Sequence, residues 1–102
     1  MIDALRKMFG LGPSVNYADL VKNGAIILDV RSKAEFASGH AKGSVNIPVD
    51  QLGANLHRLP RKEQTVITVC ASGMRSSAAR QMLLSKGYTS VFNGGRWISF
   101  QD

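Results

Sequence analysis

The sequence predicts an α/β domain in three layers, a small and mostly parallel sheet with helices on both faces. Three observations carry this. Residues 25–30 (AIILDV) and 65–69 (TVITV) are short runs rich in branched apolar residues, the pattern of strands buried on both faces. Helical patterns alternate with the strand patterns along the chain. The whole chain is 102 residues, the size of one domain with one core.

The elements follow in order. Ile2, Leu5 and Phe9 lie at helical spacing with Asp3, Arg6 and Lys7 between them, so residues 1–9 predict a short amphipathic helix. Gly10, Gly12 and Pro13 stop it and make residues 1–13 a helix and linker ahead of the domain. Asn16 is an N-cap candidate for a helix over 17–22, closed by Asn23-Gly24. After the first strong strand, Ser32 caps a short helix over 33–37, which Ser38-Gly39 ends. Residues 44–47 form a short strand whose pairing Pro48 ends. Residues 51–59 are weakly helical, with Leu52, Leu56 and Leu59 on one side. The second strong strand leads into a helix over 75–86, with Ala79, Met82 and Leu83 on one face and Gly87 as its stop. Residues 90–92 form a last strand, Asn93-Gly94-Gly95 a turn, and residues 96–100 a final helical turn.

Composition narrows the function. Hydrophobic residues make up 44% and charged residues 20%, which excludes a disordered chain. The longest apolar run is residues 25–28, far short of the roughly 20 residues a membrane span needs. Residues 1–10 contain no long apolar stretch, so no secretory signal is expected. The net charge of +6 suits anionic ligands, but no basic run exceeds two residues, and no basic stripe interleaves with aromatics. Dedicated nucleic-acid binding is therefore not expected. The single cysteine, Cys70, excludes an internal disulfide, a paired redox motif and a multi-cysteine zinc site. A reducing cytoplasm is the natural setting.

Cys70 is the residue with chemistry. It stands where a buried strand gives way to the loop Ala71-Ser72-Gly73-Met74, and a helix opens within that loop's reach. Such a loop turns backbone N–H groups toward one point, and the first helical turn adds N–H groups without internal partners. The helix dipole contributes positive potential there. Together they form an anion cradle around the sulfur, which lowers a thiol pKa from its free value of about 8.5 and makes the thiolate nucleophile. A cysteine inside the strand reads as inert core; one at this junction reads as catalytic. Arg75 closes the loop with bidentate donors for oxyanions.

Elsewhere, Arg31 and Glu35 lie four apart around a helix start and are expected to pair. Asp29 ends a strand and is expected to accept loop N–H groups. His40 has no second His, Asp or Ser constellation beside it and reads as structural, hydrogen-bonded near that loop.

These segments resemble the rhodanese family in its small single-domain form. Asp29-Val30-Arg31, with Glu35-Phe36 and Gly39-His40-Ala41, resembles the family's first signature, and Ser44-Val45-Asn46-Ile47-Pro48 continues it. Cys70 to Arg75 resembles the active-site loop, and Gly87-Tyr88 with Asn93-Gly94-Gly95 resembles the closing segment. The likeness covers residues 15–97, and residues 14–102 would be the rhodanese domain. It implies a five-stranded, mostly parallel sheet and a thiosulfate sulfurtransferase. In that scheme the Cys70 thiolate takes the outer sulfur of thiosulfate or a related donor. The N–H groups of Ala71, Ser72, Gly73, Met74 and Arg75 hold the resulting persulfide, and cyanide or a thiol accepts the sulfur. No metal or organic cofactor is implied. The alternative within the family is a persulfide carrier that passes sulfur to a partner protein. Related phosphatases and arsenate reductases have a loop one residue longer than the four residues between Cys70 and Arg75, which disfavours that chemistry.

Overall fold

A computed structural model of the chain describes residues 15–101. The helix expected over 1–9 and its linker lie outside the described residues. Helix α1 (Tyr17–Lys22) starts where the Asn16 side chain accepts the Asp19 N–H at 3.1 Å, with acidic Asp19 in the first turn and basic Lys22 in the last. Strand β1 (Ile26–Asp29) follows, then helix α2 (Lys33–Ala37). A capping box fixes α2: the Ser32 hydroxyl accepts the Glu35 N–H at 3.2 Å, and Glu35 Oε1 accepts the Ser32 N–H at 3.0 Å. Strand β2 (Val45–Asn46) is a two-residue edge.

The weak helix expected over 51–59 is instead two 3-10 segments, Val49–Gln51 and Gly53–Arg58, the second broken by non-helical dihedrals at Asn55. A sparse leucine pattern with Pro48 and Gly53 anchors Leu52 and Leu59 in the core without sustaining an α-helix. Strand β3 (Val66–Cys70), helix α3 (Met74–Ser85) and strand β4 (Val91–Arg96) complete the sheet, and a 3-10 turn, Trp97–Phe100, crosses back over it.

The sheet has four parallel strands in the order β2-β1-β3-β4. The expected fifth strand has no counterpart among the described residues, which carry only four segments of strand character. The central strands are buried on both faces, as the runs of branched residues require: every residue of β3 is covered. Alternation along the strands sorts the side chains. Leu28, Val30, Val66 and Cys70 pack with Ala79 and Leu83 of α3 and with Leu52 and Leu59. Ile27, Ile67 and Val69 face the opposite layer, which holds Tyr17 and Leu20 of α1 and Trp97 and Phe100. No helix among the described residues is long and apolar enough to cross a membrane.

Residues 93–95 do not turn the chain. They extend β4 through a bulge, since Thr68 pairs with Asn93 and Val69 with Gly95, leaving Gly94 unpaired. A Cβ on Gly94 would stand 2.7 Å from Ile67 Cγ2 and 2.9 Å from the Phe100 ring, so only glycine fits there. The Asn-Gly-Gly chemistry that favours a turn serves equally well for a bulge pressed between a strand and an aromatic ring.

Candidate active site

All four strands run the same way, so the loops after β1 and β3 meet at one edge of the sheet, where open α/β folds place their ligands. Cys70 is the last residue of β3 and has no exposed surface. The chain leaves it through Ala71 and Ser72, turns at Gly73 with a left-handed φ of +98°, and enters α3. That left-handed residue aims its N–H back at the sulfur. The Gly73 N–H donates to Cys70 Sγ at 2.9 Å and the Ser76 N–H at 3.3 Å, while the Ser76 hydroxyl oxygen lies 3.5 Å away.

Two opposing effects act on the thiol. Burial raises its pKa and is the largest single influence. The Ser76 hydroxyl and the N–H groups of Ser76, Gly73 and Ser72 lower it, and together they leave the thiol below its ordinary value. The backbone N–H groups that hydrogen-bond the sulfur come from Gly73, within the loop singled out from the sequence, and from Ser76, just beyond it. Ala71, Ser72 and Met74 form the exposed outer side of the loop, with Met74 79% exposed.

Arg75 is engaged with a carboxylate. Its Nη1 and Nη2 donate to Glu35 Oε1 and Oε2 at 2.7 and 3.0 Å, joining the start of α3 to α2 across 40 residues. This bidentate contact, followed by the Ser32 N–H, holds the Glu35 carboxyl at about 2 against an ordinary 4.5. The expected Arg31–Glu35 side-chain pair does not form. Arg31 turns instead to Asp29, with Nε at 2.9 Å from Oδ1 and Nη2 at 2.7 Å from Oδ2. Spacing along the chain favoured a local partner, but Asp29 is fully buried at the strand end and needs a cation more than half-buried Glu35 does.

Arg31 also donates to the carbonyls of Glu35 and Gly39 and lies 4.3 Å above the Trp97 ring. Asp29 accepts the Arg31 N–H at 3.0 Å, the loop contact expected of it. His40 stacks on Phe36 and its Nδ1 contacts the Phe36 carbonyl at 2.7 Å, away from the sulfur's hydrogen-bond partners.

Sequence reasoning missed two residues, Ser76 and Asn93. The Ser76 hydroxyl donates to Asn93 Oδ1 at 2.6 Å, and Asn93 Nδ2 donates to the Gly73 carbonyl at 3.3 Å. Asn93 thus ties β4 to the cysteine loop. A serine in the first turn of the helix that follows the cysteine was the available signal for Ser76. Asn93 stood out only within the Asn93-Gly94-Gly95 segment, and nothing local tied it to Cys70, because its role depends on the bulge.

Comparison with known proteins gives the family. The rhodanese-like domain family matches residues 15–95. Thiosulfate sulfurtransferase PspE of Escherichia coli (strain K12) is 33% identical over 69 residues, covering 67% of this chain and 66% of that protein. The uncharacterized protein YqhL of Bacillus subtilis (strain 168) is 36% identical over 69 residues, covering 68% of this chain and 54% of that protein. The chain therefore spans less than two thirds of the length of each of these relatives. A solved structure described as rhodanese with anions from E. coli superposes with a TM-score of 0.70 at 30% identity, covering 74% of this chain and 89% of that one. The family model matches residues 15–95, a span that holds both the Asp29 segment and the Cys70 loop: this chain belongs to the rhodanese-like domain family.

Proposed function

We propose that this chain is a sulfurtransferase that carries a sulfane sulfur on Cys70. The observation that supports it is the sulfur at the end of β3 accepting two backbone N–H groups, from Gly73 and Ser76. In the first half-reaction the Cys70 thiolate attacks the outer sulfur of thiosulfate. The new bond joins Sγ to that sulfur, the sulfur–sulfur bond of thiosulfate breaks, and sulfite leaves with the bonding electron pair. The charge now sits on the outer persulfide sulfur, beside the loop of Ala71, Ser72, Gly73, Met74 and Arg75. In the second half-reaction cyanide or a thiolate attacks that outer sulfur, and Cys70 leaves as thiolate.

No proton is required at the sulfur in either step, so a thiol already biased toward ionisation needs no general base. Nor is a cofactor needed, because a single sulfur atom moves between two nucleophiles. Cys70 has no exposed surface, so donor and acceptor reach it past the exposed loop residues Ala71, Ser72 and Met74. A reducing compartment, with Cys70 free as a thiol, belongs to the same proposal.

The test is whole-protein mass after incubation with thiosulfate, followed by cyanide. One added sulfur atom, lost as thiocyanate on adding cyanide, is the expected result. Cys70→Ser should abolish both while circular dichroism stays unchanged. Full sulfur transfer by the folded serine variant would overturn the proposal. Efficient hydrolysis of an aryl phosphate by the wild type would also overturn it.

A further inference from the structure

Ser76 and Asn93 form a hydrogen-bond chain behind the sulfur. Cys70 Sγ lies 3.5 Å from Ser76 Oγ, and Ser76 Oγ lies 2.6 Å from Asn93 Oδ1. A hydroxyl has one hydrogen, so Ser76 can donate to only one of these neighbours at a time. While Cys70 is a thiol, its own hydrogen points at Ser76 Oγ and the Ser76 hydrogen goes to Asn93. Once the thiol ionises, the sulfur has nothing to donate and becomes the stronger acceptor.

The Ser76 hydrogen can then turn to the sulfur by rotation about the Cβ–Oγ bond, with no heavy atom displaced. Asn93 Oδ1 is not orphaned by this, because the Gly95 N–H still reaches it at 3.0 Å. The amide orientation is fixed from both ends: Gly95 donates to Oδ1, and Nδ2 donates to the Gly73 carbonyl at 3.3 Å. The Tyr17 hydroxyl holds the Asn93 backbone carbonyl at 2.9 Å.

We propose that the Ser76 hydroxyl is a two-position switch, donating to Asn93 while Cys70 is a thiol and to the sulfur once it is a thiolate. Ser76 then favours the thiolate, and Asn93, by competing for the same hydrogen, favours the thiol. The inference rests on reading Cys70 as the sulfur-carrying nucleophile. The charged and titratable groups around this cluster are Arg75 of α3, Glu35 of α2, Asp29 and Arg31 at the end of β1, Tyr17 of α1, and exposed Arg96 of β4, which pairs with Cys70 in register. Substitution at Ser76 or Asn93 leaves all of them in place, so they act alike on every variant.

The experiment is the pH dependence of Cys70 alkylation by iodoacetamide, with the thiosulfate assay run beside it. Ser76→Ala removes only the hydroxyl oxygen. It should raise the alkylation midpoint by about one unit, leaving about tenfold less thiolate at any pH well below both midpoints. Asn93→Ala removes the competitor and should lower the midpoint. A merely structural role would loosen the loop in both variants and raise both midpoints together. An unmoved midpoint in either variant, or a rise in Asn93→Ala, overturns the switch, and Asn93→Ala decides alone if Ser76→Ala does not fold. Alkylation does not depend on sulfur transfer. Midpoints that move as stated without thiosulfate turnover would therefore refute the functional reading and leave the switch standing.

Discussion

Arg31→Met tests the buried pair that supports this site. Asp29 is fully buried and Arg31 is 3% exposed, so both charges depend on each other. The Arg31 side chain reaches both Asp29 oxygens and the carbonyls of Glu35 and Gly39. Methionine fills much of the same volume against Trp97 but supplies no donor. Asp29 would keep only the Arg31 backbone N–H, leaving a buried carboxylate without a cation. Removing one partner of such a pair costs about 3–5 kcal/mol, a large share of the roughly 5–15 kcal/mol that holds a domain together. In urea, where small domains lose about 1–3 kcal/mol per molar, the unfolding midpoint should fall by about 1 M or more. The penalty is that of an unpaired charge, so neutralising the survivor should relieve it. The double variant Asp29→Asn/Arg31→Met should be more stable than Arg31→Met alone. Circular dichroism during urea titration reads both. An Arg31→Met protein within about 0.5 kcal/mol of wild type, or a double variant no better than the single one, would refute the reasoning.

Three further outcomes follow from the geometry. Glu35 titrates at about 2 because of Arg75, so the bond's contribution is fully present above the ordinary 4.5 and is lost as pH falls through about 2. The side-chain carboxyl resonance of Glu35 should show the ion pair intact at pH 4, and a midpoint near 4.5 would contradict the pairing. Glu35→Gln should also free Arg75 for the donor and lower the thiosulfate KM by about threefold, an effect that salt diminishes. Gly94→Ala drives a methyl into Ile67 and Phe100 and should cost about 1–3 kcal/mol of stability in thermal or urea unfolding, whereas an unchanged midpoint would mean the bulge relaxes freely.

What could be read from the sequence was whatever local chemistry determines. β1 and β3 are short runs dominated by branched apolar residues, and the helix over 33–37 follows from Ser32 and Glu35 three residues apart. Gly87, with a φ of +96°, ends α3 where a glycine stop was expected. The site's backbone cradle was legible for the same reason: a strand end, a small-residue loop and a helix start lie in one stretch of chain. What was illegible depends on distant partners. Arg75 meets Glu35 across 40 residues and Ser76 meets Asn93 across 17, and neither spacing follows a local rule. The local rule for Arg31 and Glu35, a spacing of four, lost to the demand of buried Asp29 for a cation. The end of β4 was read as a turn because the tertiary neighbours that press Gly94 into a bulge, Ile67 and Phe100, lie on other elements.

The position of Cys70 within β3 decides whether its thiol can react. Thr68, two residues earlier, faces the same layer and is equally buried. Around it, however, the backbone N–H groups of β3 serve the ladders to β1 and β4. Its own hydroxyl satisfies the Ser76 carbonyl at 2.8 Å. A thiol placed there would feel burial, which favours the neutral form, with no free N–H to oppose it. At Cys70 the ladder stops. The next N–H groups belong to a loop and to the first turn of α3, where no intrahelical acceptor exists. Gly73, in its left-handed conformation, and Ser76 turn two of those N–H groups onto the sulfur. Burial still disfavours the charged form there, but the Ser76 hydroxyl and the loop and helix N–H groups outweigh it and leave the thiol below its ordinary value. The same strand therefore holds a side chain satisfied within the core at Thr68 and, at Cys70, a thiol that accepts two N–H groups, separated by the point where the sheet's hydrogen bonding ends.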